Sequence, residues 1–164
     1  MIFTYLKQPL NKYTFKAPKI KLWVEKNCRG KVLNLFAGKI KLNVDEIRVD
    51  LSDEFKPDYI MDSYDFIKFA IQKQMKFNTI ILDPPYAYRK AMELYNGHYS
   101  SKFHLINNLI PQILLEDGKV ISFGYHSVNL GKKRGFYTSE ICLIGHGGAQ
   151  HDTIAIVEAR LKND

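Results

Sequence analysis

Two consecutive prolines, Pro84 and Pro85, close the apolar run Thr79-Ile80-Ile81-Leu82. Proline lacks the N–H that a strand ladder needs, so a strand built from that run has to stop there. The residue before a proline is driven into extended geometry, which holds Asp83 at the strand's carboxyl end. Tyr86 follows directly. The turn therefore presents a carboxylate, carbonyls without competing N–H donors, and a flat π-face. That set suits a planar base with an exocyclic amine, whose hydrogens go to the oxygens while its ring stacks. A proline-bounded strand end beside a surface tyrosine is the plainer reading, and four residues alone do not choose between the two.

The rest of the chain supplies the frame. Residues 31–36 read as a buried strand that breaks at Ala37-Gly38, residues 46–51 as a second, 58–61 as a third, 79–82 as a fourth and 119–125 as a fifth. Pro18 opens a helix that ends near Arg29-Gly30. A second helix starts at residues 62–65 and continues over 66–74, with Phe66, Ile67, Ala70 and Ile71 at helical spacing, and a third covers 103–115. Residues 89–95 read as a short helix, 96–102 as a polar loop, 1–17 as irregular, Asp117-Gly118 as a turn and 129–137 as a basic loop. Residues 140–144 and 153–159 form a closing hairpin. Strands alternating with helices predict a mostly parallel α/β sheet with helices on both faces and an antiparallel C-terminal pair. In such sheets ligands bind beyond the carboxyl ends of the strands. Gly38, Asp50, Asp62 and Asp83 fall at four successive strand ends.

Gly38 there would let a ligand approach the backbone closely. Asp50 or Asp53 can accept from a ribose diol, and Asp62 with Ser63 can take an adenine amino group and ring nitrogen. For each aspartate the competing reading is a helix cap or a solvated turn.

At 164 residues, 46% of them hydrophobic, the chain suits one globular domain, residues 1–164. Its two cysteines, Cys28 and Cys142, suit a reducing compartment, and nothing in it reads as a secretory signal or a membrane span. A cytoplasmic location is expected. The net charge of +7 is uneven: residues 1–31 hold eight Lys/Arg and one acid, and the remainder balances. That basic segment is interleaved with Tyr5, Tyr13, Phe15 and Trp23, a pattern that suits contact with phosphates as well as it suits a solvated lysine-rich face.

The sequence NLFAG at 34–38 followed by DPPY at 83–86 resembles the S-adenosylmethionine-dependent amino-methyltransferases that act on adenine N6 or cytosine N4. The resemblance implies a Rossmann-like methyltransferase sheet. It implies S-adenosyl-L-methionine as cofactor, held by Phe36, Ala37 and Gly38 at the methionine end, Asp50 at the ribose and Asp62 with Ser63 at the adenine. Asp83, Pro84, Pro85 and Tyr86 would hold the target amine. Tyr13, Thr14, Phe15 and Lys19 would complete the methionine pocket. The implied partner is nucleic acid, DNA before RNA, with adenine as the base. An RNA adenine or guanine enzyme, a silent nucleic-acid-binding relative, and transfer to a protein amide or a small molecule stay open.

Three departures stand beside the resemblance. Lys39 and Lys41 occupy places where that family carries further glycines. The seven residues 39–45 are too few for the usual crossover helix. No stretch is long enough for a separate target-recognition domain, which leaves specificity to the loops, to the basic N-terminal segment 1–30, to a homodimer or to a separate specificity subunit. Lys132, Lys133 and Arg134, with Arg89 and Lys90, are the candidate nucleic-acid contacts. Cys142, His146 and His151 lack the ligand spacing of a structural zinc site, so no metal is expected. His126, after the fifth strand, is a lone histidine near the expected pocket.

Overall fold

The computed structural model describes residues 1–84, 99–126 and 129–161. Eight strands among them form one sheet in the order β1-β7-β8-β6-β5-β2-β3-β4. The strands are β1 (Ile2–Lys7), β2 (Val32–Asn34), β3 (Glu46–Asp50), β4 (Tyr59–Ile60), β5 (Phe77–Leu82), β6 (Leu114–Gly124), β7 (Phe136–Gly145) and β8 (Thr153–Arg160). Only β8 runs against its neighbours, pairing antiparallel with both β6 and β7. The mixed sheet and its antiparallel C-terminal pair match expectation.

The central strands are apolar on both faces because helices cover both. Phe77, Ile80, Ile81 and Leu82 of β5 have no exposure. Each such side chain contributes about 1.5–3 kcal/mol by leaving water. Helix α1 (Pro18–Asn27) carries Pro at its first turn and buries Ile20, Trp23 and Val24, spaced i, i+3, i+4, against Ile81, Ile121 and Phe123. On the opposite face α2 (Ser63–Gln72) and α3 (Tyr99–Ile113) bury Phe66, Ile67, Ala70, Ile106, Ile110 and Ile113 over Leu33, Ile80 and Val120.

Several expectations are corrected. Residues 2–7 are not irregular but an edge strand paired parallel to β7, from Ile2 opposite Glu140 to Lys7 opposite Gly145. Thr4 Oγ1 and Trp23 Nε1 both donate to Glu140 at 2.7 Å, which joins β1, α1 and β7. Residues 99–102, assigned to a polar loop, open α3. Asp117-Gly118 is not a free turn; it lies within β6, where the register between Phe77–Leu114 and Thr79–Lys119 shifts. Of residues 35–36, expected at the end of the first strand, neither is in β2. The short helix expected over 89–95 lies outside the described residues.

The connection from β2 to β3 settles the question raised by its length. Residues 35–45 contain no helix, and β3 stands where the sequence put it. Leu35, Ala37 and Leu42 are buried, so the segment packs as an irregular crossover.

Candidate active site

The chain leaves β2 toward β3 on one side and crosses to β5 on the other, so the switch point of the sheet lies between β2 and β5. At that point, beyond the carboxyl ends of β2, β3, β4 and β5, lies a cleft of about 490 Å³. Its volume is within the range of small-molecule sites. Phe36, Gly38, Asp50, Asp62 and Asp83 line it, with Tyr13 from the segment after β1. The structure thus brings together Phe36, Ala37, Gly38, Asp50, Asp62, Ser63, Asp83 and Pro84. Pro85, Tyr86, Arg89 and Lys90 lie outside the described residues.

Asp50 ends β3 and binds the neighbouring loops. Its Oδ2 accepts the Gly38 N–H at 2.8 Å and its Oδ1 the Ser52 N–H at 3.0 Å. A carboxylate oxygen has two lone pairs, so these bonds leave acceptor capacity for a diol. Gly38 has φ +57°, in the left-handed region, and a Cβ built on it would meet nothing within 4 Å. The backbone is therefore bare toward open space. Such a concavity accepts a ligand that lies directly on the main chain.

Asp62 is the N-cap of α2. Its Oδ1 accepts the N–H groups of Tyr64 at 3.0 Å and Asp65 at 3.2 Å. Cap and cleft lining coincide in one residue. Ser63 behind it is 9% exposed.

Tyr13 stands at the rim. Its ring meets Phe55 edge-on at 6.2 Å, and the ammonium groups of Lys12 and Lys39 lie 5.4 Å and 5.7 Å from its centroid. Lys39, a departure in the sequence, is exposed and lines the cleft with its ammonium over the Tyr13 ring. Thr14 and Phe15 also line the cleft. Lys19 does not: its Nζ donates to the Lys7 carbonyl at 3.0 Å.

The basic turn 132–134 is not part of this constellation. It opens β7, whose Phe136 lies opposite Arg160, and Arg160 follows Ala159, the partner of Lys119. Lys119 to Gly124 covers about 17 Å along β6, which separates that edge from the strand ends bearing the cleft. Arg134 is held by Asn108 Oδ1 at 2.8 Å, the Leu130 carbonyl at 2.8 Å and His104 Nδ1 at 3.2 Å. Lys132 and Lys133 are exposed. Buried Glu158 anchors the segment by accepting the N–H groups of Leu130 and Gly131.

His126, Tyr125, His151 and Asp152 border a second hollow of about 320 Å³ beyond β6. His146 links Gln8 to Thr153, each at 2.8 Å. Burial pushes the Cys28 and Cys142 thiols up to about 12, with nearby Glu46 and Glu25 adding to the effect at Cys28 and Glu140 at Cys142. Neither is a ready nucleophile.

Arg48 and Glu46 are the contributors that sequence reasoning missed. They lie in β3 under the 35–45 loop with side chains only 4% exposed. In EIRVDL they read as the polar side of an alternating strand. The single hint was the shortness of the crossover above them.

No protein-family model matches the chain, and no curated protein matches it by sequence. Solved structures do. A protein described as a SAM-dependent methyltransferase from Streptococcus mutans superposes with a TM-score of 0.63 at 16% identity, covering 86% of this chain and 48% of its own. SMU.776, described as a methyltransferase and complexed with SAH, gives 0.55 at 18%, covering 79% and 45%. The yhhF protein of Escherichia coli, described as a methyltransferase, gives 0.58 at 10%, covering 94% and 90%. The chain spans about half the length of the first two. At these identities the shared property is the fold alone.

Proposed function

We propose that the chain transfers a methyl group from S-adenosyl-L-methionine to the exocyclic amine of a nucleic-acid base, with adenine N6 in DNA as the first substrate. The observation that carries this reading is the meeting of Asp83 and Pro84 with Gly38, Asp50 and Asp62 on one cleft at the switch point. The cofactor fits the donor set: bare backbone at Gly38 for the methionine end, a strand-end carboxylate at Asp50 for the ribose, and Asp62-Ser63 for the adenine. S-adenosylmethionine supplies an electrophilic methyl on a sulfonium and leaves as S-adenosylhomocysteine.

The protein's own part is orientation and electrostatics. An exocyclic amine is a weak nucleophile because its lone pair is delocalised into the ring. The Asp83 carboxylate and the Pro84 carbonyl accept its hydrogens, which favours a pyramidal nitrogen and offsets the positive charge that grows on it. As the N–CH3 bond forms, the surplus proton leaves the nitrogen to the Asp83 carboxylate or to solvent. One such hydrogen bond in a water-poor site is worth about 3 kcal/mol, roughly a hundredfold in rate. Fixed alignment of amine and methyl contributes the remainder without any covalent intermediate.

Lys12 and Lys39 at the rim suit phosphates flanking an extruded base. The test is transfer of labelled methyl to duplex DNA, single-stranded DNA and total RNA, with the modified nucleosides identified by mass spectrometry. N6-methyladenine in a DNA lane is the expected result. Label only in the RNA lane moves the substrate to RNA, and a folded, SAH-binding protein that labels nothing overturns the reading.

A further inference from the structure

A βαβ unit uses its helix to return the chain and to seat the loop that follows the first strand. This chain has no helix between β2 and β3, yet that loop carries Gly38. What holds it is a group of charged and polar side chains buried underneath. Glu46 Oε1 accepts the Leu42 N–H at 2.9 Å, and its Oε2 accepts from the Asn34 side-chain amide at 3.2 Å. Arg48 Nε sits 3.6 Å from Glu46 Oε1, an ion-pair distance.

The rest of the guanidinium reaches two different loops. Nη2 donates to the Gly38 carbonyl, while Nη1 donates to the carbonyls of Phe55 at 3.2 Å and Lys56 at 3.4 Å. Gly38 and Phe55 both line the cleft, from separate loops. One planar cation therefore ties the loop after β2 to the turn after β3. Gly38 is held at both of its peptide groups: its N–H by Asp50 and its carbonyl by Arg48.

We propose that Arg48, seated by Glu46, is the positioning residue of the cofactor loop and replaces the missing crossover helix in that task. It acts through Gly38, holding it in the left-handed conformation that keeps the cleft floor bare, so cofactor affinity depends on it more than the chemical step does. The inference rests on the reading of this cleft as the S-adenosylmethionine site.

Lysine at position 48 keeps the charge but carries all its donors on one nitrogen, not on the two arms of a planar fork that reach the two loops. A buried pair broken on one side leaves an uncompensated charge, so the second variant is Glu46→Gln with Arg48→Met, which removes both charges and keeps the bulk. Wild type, Arg48→Lys and the double variant are titrated with S-adenosylhomocysteine by calorimetry. Each is also followed by thermal unfolding and by methyl-transfer kinetics. The proposal expects folded variants that bind S-adenosylhomocysteine at least tenfold more weakly. Their KM for the cofactor should rise correspondingly while kcat stays within about threefold, with Arg48→Lys less affected than the double variant. Folded variants that bind as tightly as wild type overturn the inference and leave the reading of the cleft standing. A wild type that binds no S-adenosylhomocysteine overturns that reading, and the inference with it. Loss of folding in both variants makes Arg48 a general stability residue and also overturns the inference.

Discussion

Asp62 serves the fold before it serves a ligand, since one of its oxygens already accepts two amides of the first turn of α2. Replacing it with alanine removes the cap and should cost about 1 kcal/mol in unfolding free energy, whereas asparagine keeps a capping oxygen and most of that stability. If the carboxylate also recognises the cofactor, Asp62→Asn weakens S-adenosylhomocysteine binding while leaving the denaturant midpoint close to wild type. Equal loss of stability in both variants would contradict the capping assignment. The sequence pointed to this aspartate for its place after an apolar run, and that place suits a cap as well as a ligand. Arg48 was not legible in the same way. A polar residue in an alternating strand reads as facing solvent, and only the loop lying above it makes that face an interior.

Elements were legible where a local pattern matched a buried surface. The apolar residues 80–82 that end β5 and the helical spacing of Phe66, Ile67 and Ala70 in α2 both correspond to buried positions. β1 left no such trace. Its Ile2, Phe3 and Tyr5 are 62%, 66% and 58% exposed, and its ladder partner lies more than a hundred residues away in sequence. The irregular crossover between β2 and β3 has its own signature in pH. Burial holds the Glu46 carboxyl above its ordinary 4.5, against the opposing pull of the Leu42 amide, Asn34 and Arg48. The folded chain thus binds this proton more tightly than the unfolded chain does. The resulting stabilisation is fully present below about pH 4.5 and is lost as pH rises through the folded value. Glu46→Gln cannot ionise, so its urea midpoint should decline less than that of wild type as pH rises from about 4 toward 7. Parallel pH profiles would show that Glu46 does not titrate between the two states in this way.

For the molecule as a whole, Gly38, Asp50, Asp62 and Asp83 gather on one cleft at one end of the sheet. Asp50, Asp62 and Asp83 line the cleft, and Lys12 and Lys39 stand at its mouth. Lys132 and Lys133 lie at the far edge, so a single short strand of nucleic acid in the cleft is not expected to reach them. Replacing Lys12 and Lys39 with glutamine should therefore lower the salt dependence of nucleic-acid affinity, by up to about 2 in the log–log slope. The same change at Lys132 and Lys133 should leave that slope nearly intact, and the opposite ranking would move the binding face to the other edge. No helix among the described residues is long and apolar enough to cross a membrane. Strand order and the switch point were predictable in kind, because alternation of strands and helices restricts the topologies available. The helix-free crossover was visible only as a shortage of residues.

On the proposed reading, one cleft binds S-adenosylmethionine through Gly38, Asp50 and Asp62 and presents a base amine to it through Asp83. The measurement that bears on it most directly pairs methyl transfer with S-adenosylhomocysteine affinity for wild type and Asp83→Ala. Transfer should fall at least a hundredfold in the variant while affinity changes less than about threefold. Undiminished transfer, or transfer and affinity lost together, would contradict it.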